Sequence, residues 1–381
     1  MFTTDNINNI GGKSVQTKVL LNELKKLNLN VDLIQIPKRI DFVFILIPLF
    51  LLNKIHKGLG HIYALFARMI FLAIISLPYI FCKEEKLIVV SQDAYGHQIF
   101  LKLKKFLKNK VKNIVIIHSL GTLTQEAVRD KRLLPKDWTT HLSLNMEIKG
   151  YLAADKIIVV SQAAKETLIN ELKKKGLKIN QKVCVINNGI EITTNLGSVD
   201  QDDFKYDFCC IATLKPIKGH EVLLDAIKLL KKDYPNIRVA IVGGGKLYHY
   251  LINKARELNV LDNIDFLGNK NREEIFNILA KSKFFVLSSF QENFSISLLE
   301  AAFYGVPIVA TNVGGNSEII DHKVNGYLVP VNDFVALAEG MAWLMDCKNR
   351  KELGKSLKSK ARRLWTSEQM AKNYYEIIKQ L

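Results

Sequence analysis

The chain has 381 residues, 48% of them hydrophobic, which is too long for one core of ordinary size and apolar enough for two full globular domains. Its formal charge of +17 is uneven: residues 1–195 carry 29 Lys+Arg against 15 Asp+Glu, and residues 196–381 carry 25 against 22. The first half therefore presents the basic surface, which seeks anions such as acidic lipid or phosphorylated substrates.

Taken in chain order, "MFTTDNINNIGGKSVQ" opens almost directly in a loop. A doubly wound domain normally opens with a buried strand, so the first strand is expected to be shortened or lacking, with a natural start other than Met1. Val15, Val19, Leu20, Leu24 and Leu27 then share one helical face, and Val31–Ile36 reads as a strand. The segment Ile40–Cys82 is strongly apolar. "FVFILIPLFLL" is too short to cross a bilayer, and "IYALFARMIFLAIISLPYIFC" is long enough but contains Arg68 and Pro78. A span there would also put Val31–Ile36 and Leu87–Ser91 on opposite sides of the membrane, although both belong in one sheet. Buried or surface-lying helices are expected instead. His97–Lys112 sets Ile99, Leu103, Phe106 and Leu107 on one helical face and lysines on the rest. That pattern fits either a sheet-covering helix with a solvated lysine face or a helix docked on anionic lipid.

Lys86–Asp93, Asn113–Ser119, Lys156–Gln162 and Lys182–Gly189 are apolar runs of strand length, as in a buried parallel sheet. The polar stretch "EITTNLGSVDQDDFKYD" interrupts them, and then "FCCIATL", "RVAIVGGG", "IDFLG", "FFVLSS" and "PIVATN" restart the rhythm. The expected fold is α/β, with two facing Rossmann-like domains: residues 1–198, residues 199–364, and a C-terminal helix over 365–381 that crosses back to the first. Ligands of such sheets bind at the strand C-terminal ends, so a cleft between the domains is expected. Cys82, Cys184, Cys209, Cys210 and Cys347 make no CxxC or zinc spacing. With no secretory signal, the chain is expected to be cytoplasmic and reduced.

The stretch "SSFQENFSISLLEAAFYGVPIVATNVGG" carries the chemistry. Glu292 lies in the loop at a strand's C-terminal end, and Glu300 lies within the following helix, which Gly305 and Pro307 stop. Asn293 or Ser295 is placed to cap that helix, and its free N–H groups suit a diphosphate. A glycosidase acid/base pair would need the two carboxylates within about 5–9.5 Å of each other. Their opposite elements favour two separate tasks on one extended ligand, since a carboxylate matches the vicinal hydroxyls of a sugar. Solvated helix-face glutamates are the plainer alternative.

"QENFSISLLEAAFYGVPIVATNVGGNSEII", with "NGYLVP" further on, resembles the signature of the retaining glycosyltransferases of family 4, the glycosyl transferases group 1 domain, with its Glu, seven residues, Glu. "ADKIIVVSQAAKETL", "VCVINNGIEI", "TLKPIKGHEVLLDAI", "IVGGGKL" and "IDFLG" resemble further family segments in family order, so the likeness covers nearly the whole chain. It implies the GT-B fold and a nucleotide-sugar donor, with no cofactor and no metal. Asp200-x-Asp202, in the linker, is set aside as a metal site. The resemblance gives Glu300 to the ribose hydroxyls, Glu292 to the donor sugar and Lys218 to the diphosphate, with the backbone of Asn293, Phe294 and Ser295 near sugar and phosphates. Gly243, Gly244 and Leu267 fall on the donor side. His118 corresponds to a histidine that touches the donor sugar, and Gly11, Gly12 and Lys13 belong to a glycine-rich loop for phosphate or acceptor. Asp93 is a further acceptor candidate by strand position.

Two positions depart from the family pattern. Thr213 stands where an arginine is common, with Lys215 nearby but lacking a bidentate fork, and Ser119 replaces the usual glycine after the histidine. The expected activity is transfer to an acceptor held by the first domain, a glycan or lipid-linked glycan at the inner face of a membrane, with an anionic membrane surface as partner. The alternatives are a membrane-associated sugar-nucleotide-binding protein with impaired catalysis and a nucleotide-sugar 2-epimerase, which lacks this motif order. Nucleic-acid binding would rest on charge alone, and no nucleic-acid partner is expected.

Overall fold

The computed structural model describes residues 2–3, 12–35, 47–56, 58–78, 86–95, 110–191 and 204–381. The chain divides into two compact units, residues 1–189 with 367–381 and residues 190–366.

In the first unit a wholly parallel sheet has the order β2-β1-β3-β4-β5-β6. Its strands are β1 (Phe2–Thr3), β2 (Ile34–Gln35), β3 (Lys86–Ser91), β4 (Lys110–Ile117), β5 (Lys156–Val159) and β6 (Val183–Val185). The opening strand is short but present: Phe2 pairs with Ile34 on one side and Ser91 on the other. Ile114, Val115, Ile116 and Ile117 are all buried, as a parallel strand covered on both faces requires. The helices are α1 (Gly12–Lys26), α2 (Ile47–Ile55), α3 (Leu59–Ser76), α4 (Leu123–Arg129), α5 (Trp138–Ala153) and α6 (Gln162–Lys173).

Two sequence expectations need adjusting. The strand expected over Val31–Ile36 is regular only at Ile34–Gln35 among the described residues. Lys110 and Lys112 belong to β4, where they pair with Lys86 and Ile88, and not to a helix. The rest of the amphipathic pattern over 97–109 lies outside the described residues, as do Gly11, Cys82, Asp200 and Asp202. Within the apolar segment, α2 and α3 pack against each other. Ala64, Ala67, Met69 and Leu72 of α3 enter a core with Ile34, Val89, Val111 and Met146. Among the described residues no helix is long and apolar enough to cross a membrane.

The second unit repeats the plan with sheet order β12-β11-β10-β7-β8-β9, again all parallel. Its strands are β7 (Tyr206–Ile211), β8 (Val239–Val242), β9 (Ile264–Gly268), β10 (Ser282–Leu287), β11 (Ile308–Thr311) and β12 (Gly326–Val329). The helices are α7 (His220–Leu230), α8 (Tyr248–Glu257), α9 (Arg272–Ala280), α10 (Ile296–Tyr304), α11 (Asn316–Ile319), α12 (Phe334–Met345) and α13 (Arg350–Leu364). Phe208, Cys210, Leu223, Ile227, Val239, Ile241, Phe284 and Val286 form the centre of the core on one side of this sheet. Cys209 and Cys210 are free thiols inside β7, and burial pushes both up to about 12, as for structural cysteines rather than reactive ones.

After α13 the chain returns to the first unit as α14 (Ser367–Lys379). Met370, Ala371 and Tyr374 share a core with Val19, Leu20 and Leu24 of α1, and Ser367 Oγ donates to Glu23 Oε1 at 3.2 Å.

Candidate functional site

The strand order of the second sheet reverses between β7 and β10, so the loops leaving those two strands diverge over a crevice where ligands of such sheets bind. Lys218 ends a short helical turn after β7, and Glu292 lies in the loop after β10. Lys218 Nζ donates to Glu292 Oε1 at 2.6 Å, and Ser289 Oγ donates to the same oxygen at 2.6 Å. The lysine side chain keeps 23% exposure against 8% for the glutamate, so solvent reaches the pair from the lysine side.

Two glycines explain why the loops meet so closely. Gly219 has φ +63°, and a Cβ there would sit 2.0 Å from the Ser288 carbonyl oxygen. Gly314 has φ +50°, and its Cβ would sit 1.8 Å from the Glu292 carbonyl oxygen. Only glycine meets both the left-handed backbone and the close approach at each point. Hydrogen bonds then stitch the loops: Phe290 N to Ile217 O at 2.8 Å, Ser288 Oγ to Gly219 O at 2.8 Å, Thr311 Oγ1 to Ser289 O at 2.6 Å, and Gly315 N to Asn293 O at 2.8 Å. The Glu292 loop is thus held from the β7 side and from the β11 side.

Ser295, rather than Asn293, caps α10, accepting from Leu298 N at 3.4 Å, and Gly305 ends that helix with φ +72°. The Phe294 ring is buried against Trp365, with ring centroids 5.8 Å apart, so this residue has only its backbone to offer a ligand. Glu300 stands on α10. It is partly buried as a residue, yet its carboxyl is desolvated enough to be pushed up to about 7, with Arg272 pulling the other way.

Arg272 is the residue that motif reading passed over. It opens α9, where Asn271 and Glu274 form a reciprocal capping box. Its Nη1 donates to Glu191 Oε2 at 3.3 Å, and its guanidinium lies 5.4 Å from the Phe276 ring centroid. The run Asn271-Arg-Glu-Glu274 carries a capping signal that locates a helix start just beyond β9, but nothing local in it points to Glu300. His220, at the start of α7, was also passed over. Burial first, and then Lys218, hold its imidazole down to about 4, and neither ring nitrogen has a hydrogen-bond partner.

The remaining candidates of this unit line the same strand ends. Thr213 and Lys215 are exposed after β7, and Lys215 N donates to Thr213 O at 2.8 Å. Gly243 N donates to Gly268 O at 2.8 Å, and Leu214 N donates to Gly244 O at 3.0 Å, which ties the loops after β7, β8 and β9 together. Leu267 is partly buried in β9.

In the first unit the sheet order reverses between β1 and β3. There Lys13 Nζ lies 3.7 Å from Asp93 Oδ2, while Asp93 Oδ1 accepts from Tyr95 N at 3.1 Å. Gly12 opens α1. His118 follows β4, with Nε2 2.6 Å from Gln92 Oε1. Among the described residues no group of His, Cys, Asp or Glu could hold a metal ion.

A model of the family "Glycosyl transferases group 1" matches residues 193–364. An uncharacterised glycosyltransferase of Methanocaldococcus jannaschii is 31% identical over 281 residues, which is 69% of this chain and 74% of the relative. The UDP-Gal:alpha-D-GlcNAc-diphosphoundecaprenol alpha-1,3-galactosyltransferase of Escherichia coli is 26% identical over 259 residues, 64% of each chain. Among solved structures, a sucrose-phosphate synthase from Thermosynechococcus elongatus superposes with a TM-score of 0.72 at 17% identity, covering 100% of this chain and 98% of that one. At that identity the likeness is one of fold.

Proposed function

The chain belongs to the glycosyl transferases group 1 family, and from that premise we propose a specific reaction. The protein moves a sugar from a nucleoside diphosphate to a lipid-linked glycan at the inner face of a membrane. It retains the anomeric configuration and uses no metal. The observation that carries the donor reading is the Lys218–Glu292 pair at the reversal point of the second sheet. Departure of a nucleoside diphosphate needs its growing negative charge neutralised. Lys218 and the N–H groups opening α10 supply positive potential there. The bonds from Lys218 and Ser289 both fall on Oε1 of Glu292, which leaves Oε2 to accept from a hydroxyl of the transferred sugar. Glu300, when ionised, accepts from the ribose hydroxyls, and Lys215 adds a second cation beside Thr213. The backbone of Asn293, Phe294 and Ser295, with Gly243, Gly244 and Leu267, lines the rest. His118 is the first unit's candidate for the donor sugar, and Gly12, Lys13 and Asp93 are its candidates for the acceptor.

Support for a lipid-linked acceptor comes from the basic, apolar first half of the chain. The Escherichia coli relative, whose name gives a diphosphoundecaprenol acceptor, adds to it. A panel of nucleotide sugars scored by thermal shift identifies the donor, since a ligand bound only by the folded state raises the midpoint. Lys218→Ala and Glu300→Gln are each expected to weaken donor binding or turnover by about tenfold or more, the worth of a charged hydrogen bond. Transfer is expected to persist in EDTA, with NMR of the early product showing the donor's own anomeric configuration. Wild-type kinetics in both variants would overturn the donor assignment, and an inverted product would overturn the mechanism class.

A further inference from the structure

The helix α3 carries apolar side chains on both its buried and its exposed face. Its inward face, with Ala64, Ala67, Met69 and Leu72, is spent on the core of the first unit. Its outward face repeats the same chemistry in solvent: Phe66, Ile70, Ile74 and Leu77 are 44, 58, 55 and 46% exposed. Spacings of four, four and three residues place these side chains in a single stripe along the helix. The neighbouring α2 adds Phe50, Leu51 and Ile55, which are 63, 55 and 77% exposed. Single exposed apolar residues are ordinary, but a stripe of four beside a cluster of three calls for a cover.

Charge narrows the choice of cover. The described residues of α2 and α3 include no Asp or Glu, and the exposed Lys54 holds its ammonium 5.0 Å from the ring centroid of Phe50. A second copy docked on this face would bring no carboxylate of α2 or α3 to meet Lys54. A protein partner would find few hydrogen-bonding groups along the stripe to fix its orientation. A bilayer of acidic phospholipid supplies phosphates for Lys54 and for the basic first half of the chain, and an acyl boundary for the stripe. The opposite face of α3 is locked into the sheet's core, so the helix is placed to lie on a membrane and not to cross it.

We infer that the α2–α3 hairpin is the surface by which this chain lies on an anionic bilayer, with Phe66, Ile70, Ile74 and Leu77 entering the headgroup–acyl boundary. This rests on the membrane reading proposed above and names the surface responsible. The stripe accounts for binding that salt does not screen, and Lys54 contributes to the preference for acidic lipid.

The test is flotation with vesicles of phosphatidylglycerol and phosphatidylethanolamine, and with vesicles of phosphatidylcholine alone. It compares the wild-type chain, the double variant Ile70→Ser/Ile74→Ser and the charge variant Lys54→Glu. Thermal shift with the donor nucleotide and light scattering are read on the same samples. The wild type is expected to float with acidic vesicles and to be only partly released by high salt. The serine variant should lose vesicle binding by about tenfold or more while its nucleotide-induced shift stays intact. The glutamate variant should lose mainly the preference for acidic lipid. If the wild type floats and the serine variant floats equally well, this surface is wrong while the membrane reading stands. If the wild type stays at the bottom with every vesicle, both fall. A wild-type dimer that the serine variant breaks, with no flotation of either, would assign the face to a second copy and overturn the inference.

Discussion

The carboxyl of Glu300 has an unusual setting for a group meant to accept hydrogen bonds. Burial pushes it up to about 7 from an ordinary value near 4.5, and Arg272 limits the rise. Below about pH 4.5 the carboxyl is protonated whether the chain is folded or not, so no penalty arises. Above about pH 7 the folded protein must hold a desolvated carboxylate that the unfolded chain would solvate. The ligand-free protein is therefore expected to gain stability from this residue as the pH falls from 7 to 4.5. Glu300→Gln should be more stable than wild type at pH 8 by about 1–3 kcal/mol, and should converge with it near pH 5. Urea denaturation at both pH values measures this. On the proposed donor role of Glu300, affinity should run the other way, because ribose hydroxyls would donate to the ionised form. Calorimetric titration is expected to show binding weakening by up to about tenfold per pH unit below 7. In Glu300→Gln the affinity should be uniformly low and flat over that range. Arg272→Met should move the onset of that dependence to higher pH by removing the cation that favours ionisation. An unchanged pH profile in Arg272→Met would separate that arginine from Glu300.

At the scale of elements, the donor-side geometry depends on loop against loop. Gly219 carries Lys218 at the one point where the β7 loop touches the Ser288 carbonyl. Gly219→Ala forces a left-handed alanine and a backbone clash together, which should cost about 1–3 kcal/mol or displace the loop. Donor binding should fall with it, since Lys218 then leaves Glu292. Thermal denaturation with and without nucleotide separates the two effects, and a variant with normal nucleotide response would show the loop tolerates the shift. This arrangement was partly legible in the sequence because its signals are local: an apolar strand, a serine cap, a glycine–proline stop and a Lys-Gly pair fall within short windows. Arg272 was not legible as a neighbour of Glu300, because α9 and α10 come together only through the packing of the folded sheet. The outward stripe of α3 was hidden for a different reason. The helix is apolar on both faces, so no change in polarity marks which side meets the core. Lys110 and Lys112 were read into a helix because alternating lysines in a β-strand also satisfy a loose amphipathic pattern, and only pairing with β3 decides between them.

For the whole molecule, the sequence rhythm of strand and helix specifies two doubly wound sheets, and the last helix packs within the first unit. In α14, Met370, Ala371 and Tyr374 complete the core over α1, with Ile377 and Ile378 packed against it. Tyr374 is fully enclosed, and its phenol is raised by burial alone. Glu23 of α1 receives both Lys26 Nζ at 2.7 Å and Ser367 Oγ at 3.2 Å, so the helix is anchored by polar contact at its start and apolar contact along its length. Removing residues 367–381 would uncover Val19, Leu20 and Leu24, all now buried. Uncovering each such side chain costs about 1.5–3 kcal/mol, and the sum is a large share of an ordinary domain's stability. The milder variant Tyr374→Ala should lose about 3–5 kcal/mol through the cavity it leaves. The loss should fall on one unit only, because the cores of residues 190–366 contain none of these side chains. Calorimetry of Tyr374→Ala is therefore expected to split unfolding into two transitions. The lower one should be insensitive to nucleotide, and the upper one should still be raised by it, since Lys218, Glu292 and Glu300 lie in the second unit. Hydrogen exchange gives the same distinction by position, with protection lost along α1 and kept along α7 and α10. A single cooperative transition shifted as a whole would mean that the two units unfold together and that α14 stabilises both.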